Sequence, residues 1–233
     1  DLGNGIVTPV YPNQIANNKL GWEKNTQVNA GFDANLWNGL LGINADFYNS
    51  KTTDMLFDVP VSSVSGLTTS NMNIGSMQNK GVEITLTSHK NFGDFSLGLN
   101  ANWSLNRNKV LHLGDEDAPI IKSSSYAGAY YITQVGQPVG CYYLLVQDGV
   151  FHNQEELDSY PHFETTTVGD FRFVDADGDG VLDKNKDRVI VGNYMPDFYY
   201  GFGIQLGWRG LDFAANFQGV YGNEIPLPRR RQE

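Results

Sequence analysis

The stretch FVDADGDGVLDKNKD, from Phe173 to Asp187, places oxygen-bearing side chains at the spacing that a calcium ion requires. Calcium is a hard cation that binds about six to eight oxygens, and the twelve-residue loop of an EF-hand supplies them from alternate positions. Gly180 occupies the sixth position of that loop, where a glycine permits the sharp turn. The predicted ligands before the loop end are Asp175, Asp177, Asp179, the backbone carbonyl of Val181, and Asp183. The sequence therefore predicts a calcium site.

The end of this loop departs from the EF-hand pattern. Lys186 stands where a bidentate glutamate is expected, and Asp187 follows one residue later. We expect Asp187 to swing in and complete the ligand set. The flanking segments, 169–174 and 189–191, predict extended chain and no helix. Because a calcium sensor moves two flanking helices, the prediction is a structural calcium site, with a metal-free acidic turn as the alternative.

Composition argues against several other kinds of function. The net charge of −10 over 233 residues disfavours a nucleic-acid partner, since such domains carry a basic face. The lone cysteine, Cys141, gives no disulfide framework and predicts a small buried side chain. The four histidines are scattered, and no Gly-x-Ser-x-Gly elbow is present, so no zinc site or catalytic group of residues is predicted. We therefore expect a protein that is not an enzyme.

Alternating apolar and polar residues dominate the rest of the chain. This period of two predicts β-strands with one apolar face and one face of Asn, Gly, Ser, Thr and Gln. Several runs reach the length of about nine to eleven residues that a strand needs to cross a bilayer. The six alternating segments are 27–36, 43–48, 82–87, 95–106, 198–209 and 211–218.

The connections between these segments alternate strictly between short and long. Short turns are predicted at Asn38-Gly39, where the dipeptide favours a type I′ hairpin, at 90–94 and at Arg209-Gly210. Long links are predicted at about 58–80 and 110–197. Transmembrane β-barrels have short periplasmic turns and long extracellular loops, with aromatic residues at both interfaces. The aromatic residues that fit such belts are Trp37, Trp103, Tyr199, Tyr200, Trp208 and Tyr221.

The predicted fold class is all-β, with antiparallel up-and-down strands of a large transmembrane β-barrel. Polar residues facing inward imply a wide lumen, which six strands cannot close, so we expect an incomplete barrel. We also predict a short helix around Glu155 and Glu156. The predicted organisation is a lead-in at 1–25, four strands at 26–108 with an extracellular loop at 58–80, a long extracellular loop at 109–197 containing the calcium-type loop at 175–187, two strands at 198–222 and a truncated loop at 223–233.

Several segments, in this order along the chain, resemble one known family. They are NNKLGWEKNTQVNAGFD (17–33), INADFYNSKTTDMLFDVPV (43–61), NIGSMQNKGVEITL (73–86), NWSLNRNKV (102–110), VGQPVGCYY (135–143), GDFRFVDADGDGVLD (169–183) and FQGVYGNEI (217–225). No single segment is decisive, but their order over some 200 residues is specific. The chain resembles the C-terminal part of a SusC/RagA-type TonB-linked outer-membrane protein of Bacteroidetes.

The resemblance implies a barrel of about 22 strands with a plug, located in the bacterial outer membrane and in contact with its lipid. It also implies a SusD-like surface lipoprotein as partner, and contact with TonB through an N-terminal part that this sequence lacks. The implied function is import of oligosaccharides or peptides, which this segment alone cannot perform. The alternatives are a soluble calcium-binding β-sandwich for glycan binding or adhesion, and a secreted glycan-active enzyme. The tyrosines that could stack on sugars, pack the long loop or face the lipoprotein are Tyr126, Tyr130, Tyr131, Tyr142, Tyr143 and Tyr160.

Overall fold

A computed structural model describes residues 20–60, 69–114, 116–123 and 130–226. Within them the chain forms strands and one short helix. The elements are β1 (Lys24–Leu36), β2 (Leu41–Pro60), β3 (Thr69–Phe92), β4 (Phe95–Leu113), β5 (Ile120–Ser123), β6 (Tyr130–Thr133), β7 (Cys141–Leu145), β8 (Gln147–Val150), α1 (Gln154–Ser159), β9 (Phe171–Phe173), β10 (Arg188–Gly192), β11 (Phe198–Trp208) and β12 (Leu211–Tyr221). No helix among the described residues has the length and apolar character needed to cross a membrane.

The six predicted strands form one antiparallel sheet in the order β1-β2-β3-β4-β11-β12. Consecutive strands are neighbours, except that β11 follows β4 after the long connection. Each pair of consecutive neighbours is joined by a short turn or by a longer link at the opposite end. This is the up-and-down arrangement that the alternating connections predict.

The short turns confirm the predicted hairpins. The backbone N–H of Leu40 donates to the carbonyl of Trp37, and the two central residues, Asn38 and Gly39, have φ of 56° and 85°. A type I′ turn requires positive φ at both central residues, and the backbone twist of such a turn matches the twist of the strands. Arg209 and Gly210 also have positive φ, of 46° and 84°, and they form a two-residue loop between the paired residues Trp208 and Leu211.

Strands β2, β3 and β4 are longer than the alternating segments of the sequence. β2 continues to Pro60 and β3 begins at Thr69, so both ends of the predicted loop at 58–80 are paired strands, and residues 61–68 lie outside the described residues. β4 continues to Leu113, so the long connection begins later than residue 109. Backbone hydrogen bonds between strands do not depend on an apolar side-chain face, and the hairpins therefore extend beyond the alternating pattern. The predicted lead-in and final loop fall mostly on 1–19 and 227–233, which are also outside the described residues.

A line of bulges crosses β2, β3 and β4 near one level of the sheet. The register moves from the pair Thr52–Met77 to the pair Met55–Gly75, and between them Asp54 has a φ of 58°. On the other side of β3, the register shift leaves Leu111 without an opposite residue. A bulge re-aims the side chains that follow it. Beyond this line the strands therefore present a new set of residues to the same side.

The long connection after β4 folds into small sheets instead of remaining an irregular loop. One sheet has the order β10-β7-β6-β5, and β8 pairs with β9. The predicted helix is present as α1, and the side chain of Asn153 caps it by accepting a hydrogen bond from the N–H of Glu156 (2.9 Å). A small apolar core fixes this unit on β4. It contains Val110, Leu113 and Ile120, with Phe57 and Val139 packed against them.

The six-stranded sheet has one apolar face that is open to its surroundings. Val28, Phe32 and Phe217 are 67%, 60% and 62% exposed. Within the described residues no second sheet covers this face, whereas a β-sandwich would bury it. β1 and β12 form the two edges, so the sheet is an open segment of wall. An apolar outer face, a polar inner face and open edges match part of a transmembrane barrel.

Candidate functional site

The calcium-type loop connects β9 to β10 in the outer part of the long connection. The residues on both sides of the loop are strands, as the sequence predicts, and neither is helical. The loop therefore lacks the two helices that a calcium sensor moves. Its geometry is that of a fixed turn.

Asp187 is the centre of this turn. Its side chain is almost fully buried, with 1% of the residue exposed. One carboxylate oxygen accepts hydrogen bonds from the backbone N–H groups of Ala176 (2.9 Å) and Asp177 (3.5 Å), and the other accepts from that of Asp183 (2.6 Å). Burial by itself opposes ionisation, but these three donors more than offset it and lower the pKa of Asp187. The residue that follows the loop one position late is thus the one around which the loop is built.

Asp175 and Asp177 bring their carboxylates to the same place. Single oxygens from Asp175, Asp177 and Asp187 lie within 4.8 Å of one another, which is close enough to share one cation. Asp175 also accepts hydrogen bonds from the N–H groups of Gly178 and Gly180, both at 2.8 Å. Three of the six predicted ligands therefore converge.

Asp179 and Asp183 do not belong to this group of three converging carboxylates. Asp179 forms an ion pair with Lys186, with 2.9 Å between Asp179 Oδ2 and Lys186 Nζ. This hydrogen bond is the main reason that the pKa of Asp179 is lowered and that of Lys186 is raised. Asp183 Oδ1 accepts from the backbone N–H of Asn185, and Val181 is 65% exposed. The lysine in the twelfth position thus holds one carboxylate away from the other three.

The polar face of the six-stranded sheet is a second candidate site that the sequence identifies only as a lumen wall. A groove of about 830 Å³ runs over β4, β11 and β12. Asn100 and Asn216, which line this groove, lie over Gly203, where a Cβ would collide with their amide oxygens. Amides from both neighbouring strands therefore lie across the glycine and present their polar atoms to the groove.

Tyr48 organises the adjoining part of the polar face. Its ring lies against Gly81 on the neighbouring strand, where a Cβ would collide with it. Its hydroxyl donates to Asn106 Oδ1 (3.2 Å), and Asn106 donates in turn to Asn79 Oδ1 (3.3 Å). A second groove of about 580 Å³ lies beside this network. The sequence signal for it is a tyrosine and a glycine on polar faces of neighbouring strands, but their pairing depends on register.

Charge on the polar face is of one sign. Asp46 on β2 and Glu83 on β3 are directly opposite in register and line the same groove. Asp33 and Asp212 lie on the same face of other strands. Within the bilayer-spanning parts of the described strands, this face carries no lysine or arginine. The described part of this wall therefore presents negative charge on its polar side.

The tyrosines of the long connection have different environments. Tyr142 is buried and its hydroxyl donates to the backbone carbonyl of Glu224 (2.9 Å), while the guanidinium of Arg188 stacks over the ring of Tyr130 at 3.6 Å. These two side chains pack the small sheet. Tyr126 lies outside the described residues.

The family model described as TonB dependent receptor-like, beta-barrel, matches residues 2–224 of the chain. Among curated proteins, TonB-dependent receptor P3 and TonB-dependent receptor P26 of Formosa agariphila are 32% and 30% identical to it over 96% and 98% of the chain. TonB-dependent receptor SusC of Bacteroides thetaiotaomicron is 25% identical over 90% of the chain. The chain spans between a fifth and a quarter of the length of these relatives, from 20% to 23%.

A solved structure described as that of the RagAB peptide transporter has the same fold. It superposes with a TM-score of 0.68 at 26% identity, covering 88% of this chain and 22% of that one. A structure of the RagAB peptide importer in the "open-open" state gives a TM-score of 0.69 at 24% identity, covering 91% of this chain and 22% of that one. The second shows similarity of fold alone.

Proposed function

This chain belongs to the TonB-dependent receptor family as part of the outer-membrane β-barrel, and we propose that it forms the wall and outer rim of a transporter that imports oligosaccharides or peptides. Its location is the bacterial outer membrane. The observation that carries the proposal is the single sheet with an exposed apolar face and a polar, groove-bearing face. Such a wall separates lipid from an aqueous path.

The proposed partner at the outer rim is a SusD-like surface lipoprotein, and TonB is proposed to supply energy through a part of the protein outside this chain. Support comes from the relative named SusC and from the likeness to RagAB. The small sheets of the long connection pack on the end of β4 that is away from its short turn. We propose that this unit faces the lipoprotein and that it carries no catalytic activity.

Uptake of labelled solutes by cells tests the transport proposal. The panel contains neutral oligosaccharides and short neutral or cationic peptides, with polyanionic sugars for comparison. We expect one neutral or cationic class to depend on the full-length receptor and to be taken up more slowly when Asn102 and Asn216 are both replaced by leucine. Ser88→Ala, on the outward face, is the matched control and leaves uptake unchanged. Uptake of every solute at the same rate without the receptor would contradict the proposal.

We also propose that Asp175, Asp177 and Asp187 hold a structural calcium ion, with backbone oxygens and water completing its shell. The supporting observation is the convergence of their carboxylates within 4.8 Å in a loop of EF-hand spacing. The ion would join the strand after the loop to the strand before it. Because Asp179 is paired with Lys186, affinity is expected in the extracellular range of about 0.1–1 mM.

Thermal unfolding of the full-length receptor in millimolar calcium and in chelator tests this site. Calcium is expected to raise the unfolding temperature, and a variant with Asp175 and Asp177 both changed to asparagine is expected to lose that response. Equal unfolding temperatures for the wild type in calcium and in chelator would contradict the proposal.

A further inference from the structure

The outward, apolar face of the sheet ends in basic residues on four adjacent strands. On β2 the outward residues Leu41, Ile43, Ala45 and Phe47 are followed by Asn49 and Lys51. β3 and β4 repeat this order, and their outward apolar runs end at Lys80 and at Arg107 with Lys109. On β1 the run ends at Lys24. In every case the cation lies beyond the apolar run, on the side away from the short turn.

The distance from the short turns places these cations at the outer surface of the membrane. Lys51 is ten residues beyond Leu41, the first residue of β2. At about 3.4 Å per residue this is a path of about 34 Å. A strand tilt of about 40° reduces it to a height of about 26 Å, which matches the apolar band of about 25 Å in outer-membrane barrels. The cations therefore lie at the level of lipid headgroups, on the side of the long connections.

The cations are crowded against one another by the strand register. Lys80 is directly opposite Arg107, and Gln78 has Lys51 opposite it on one side and Lys109 on the other. Like charges directly opposite each other destabilise a sheet. Arg107 is relieved by an ion pair with Asp197 (3.1 Å), and Lys24 by one with Asp54 (2.8 Å).

Three lysines of this group have no such ion pair within the described residues. Lys51, Lys80 and Lys109 are exposed, and no carboxylate of the described residues forms an ion pair with them. At the opposite rim, beside the short turns, the cations do have partners. There Arg209 is paired with Asp94 (2.8 Å), and Lys90 lies over the ring of Phe92 at 5.7 Å. On the described strands of the six-stranded sheet, outward cations without a partner are thus found only at the outer rim.

We propose that Lys51, Lys80 and Lys109, together with Arg107, bind the phosphate of an anionic lipid in the outer leaflet. The surface is continuous with the lipid-facing band, so its occupant is a lipid whose acyl chains lie along that band and whose phosphate reaches the three ammonium groups. Each phosphate oxygen can accept from a different lysine, and the bound anion removes the repulsion across the strands. Binding of this lipid fixes the height of the wall in the membrane.

Native mass spectrometry of the full-length receptor tests the proposal with lipid A and with its dephosphorylated form as probes. We expect lipid A to stay bound after the dephosphorylated form has left. Each lysine near an anionic headgroup contributes about fivefold to affinity, so changing Lys51, Lys80 and Lys109 to glutamine weakens binding on the order of a hundredfold. Changing the same three residues to arginine retains binding. Lys90→Gln, at the other rim, is the matched control and leaves binding unchanged.

Three results would overturn the proposal. The first is equal retention of lipid A and its dephosphorylated form by the wild type. The second is unchanged retention by the triple glutamine variant, once its heat-modifiable gel mobility shows a folded barrel. The third is complete displacement of lipid A by millimolar inorganic phosphate, because the site would then recognise a free anion and not a lipid.

Discussion

Replacing Asp187 with asparagine tests the role of the Asp187 carboxylate in the loop independently of the neighbouring carboxylates. The carboxylate of Asp187 is buried and accepts from the N–H groups of Ala176, Asp177 and Asp183. Asparagine has nearly the same shape, but its NH2 group faces at least one of these donors and leaves it without an acceptor. A buried unsatisfied donor costs about 1–3 kcal/mol. We therefore expect the opened form of the loop to become about 5 to 150 times more populated.

Hydrogen exchange of peptides spanning 173–190 in the full-length receptor measures this change. In chelator, exchange is expected to accelerate by that factor, because the lost acceptor of a backbone N–H group is then the only change. In calcium the acceleration is expected to be larger, because Asp187 is also one of the proposed calcium ligands. Asp158→Asn, an exposed carboxylate on α1, is the control and leaves exchange in the loop unchanged. The pKa of Asp187 is lowered in the folded loop, so its stabilisation is present above the ordinary value of 3.8 and is lost as pH falls through the folded pKa. Wild-type exchange rates in Asp187→Asn would refute the reasoning.

Three other changes test other parts of the structure. Lys186→Glu removes the ion pair with Asp179 and supplies a carboxylate in the twelfth position. Calcium titration of this variant is expected to show tighter binding than in the wild type. Weaker binding would contradict the role assigned to Lys186. Gly81→Ala places a Cβ against the ring of Tyr48 and is expected to lower barrel stability by about 1–3 kcal/mol in urea unfolding; the control Gly98→Ala, whose nearest contact would be 3.3 Å away, is expected to cost less. Phe217→Arg on the apolar face is expected to lower the free energy of unfolding by about 2–4 kcal/mol. Gln218→Arg on the polar face is expected to lower it only slightly. Equal losses of stability would contradict the assignment of the two faces.

The six wall strands and their order of connection could be predicted because their signals are local. Alternation with a period of two tells which residues share a face, and positive-φ dipeptides such as Asn38-Gly39 tell where a strand reverses. The order of the short motifs indicated the family, which the match over residues 2–224 confirms. None of these inferences requires knowledge of which residues meet in space.

Strand ends and the folding of the long connection could not be predicted in this way. The bulges that leave Leu111 without an opposite residue let Val110 and Leu113 face one core together, and that core includes Phe57 from β2 and Val139 from beyond β6. Residues that are distant in sequence therefore decide where β4 ends. A local pattern contains no information about such packing.

For the loop from Phe173 to Asp187, too, some features could be predicted from the sequence and others required the structure. Its residue types and spacing identified the group of acidic residues, with Asp187 in an irregular position. Only the tertiary structure gives Asp187 the central role, because three backbone N–H groups converge on a side chain that the fold buries. The ion pair that holds Asp179 away from the other carboxylates is likewise known only from the structure. Lys186 is flexible, and the folded chain decides which carboxylate lies within its reach.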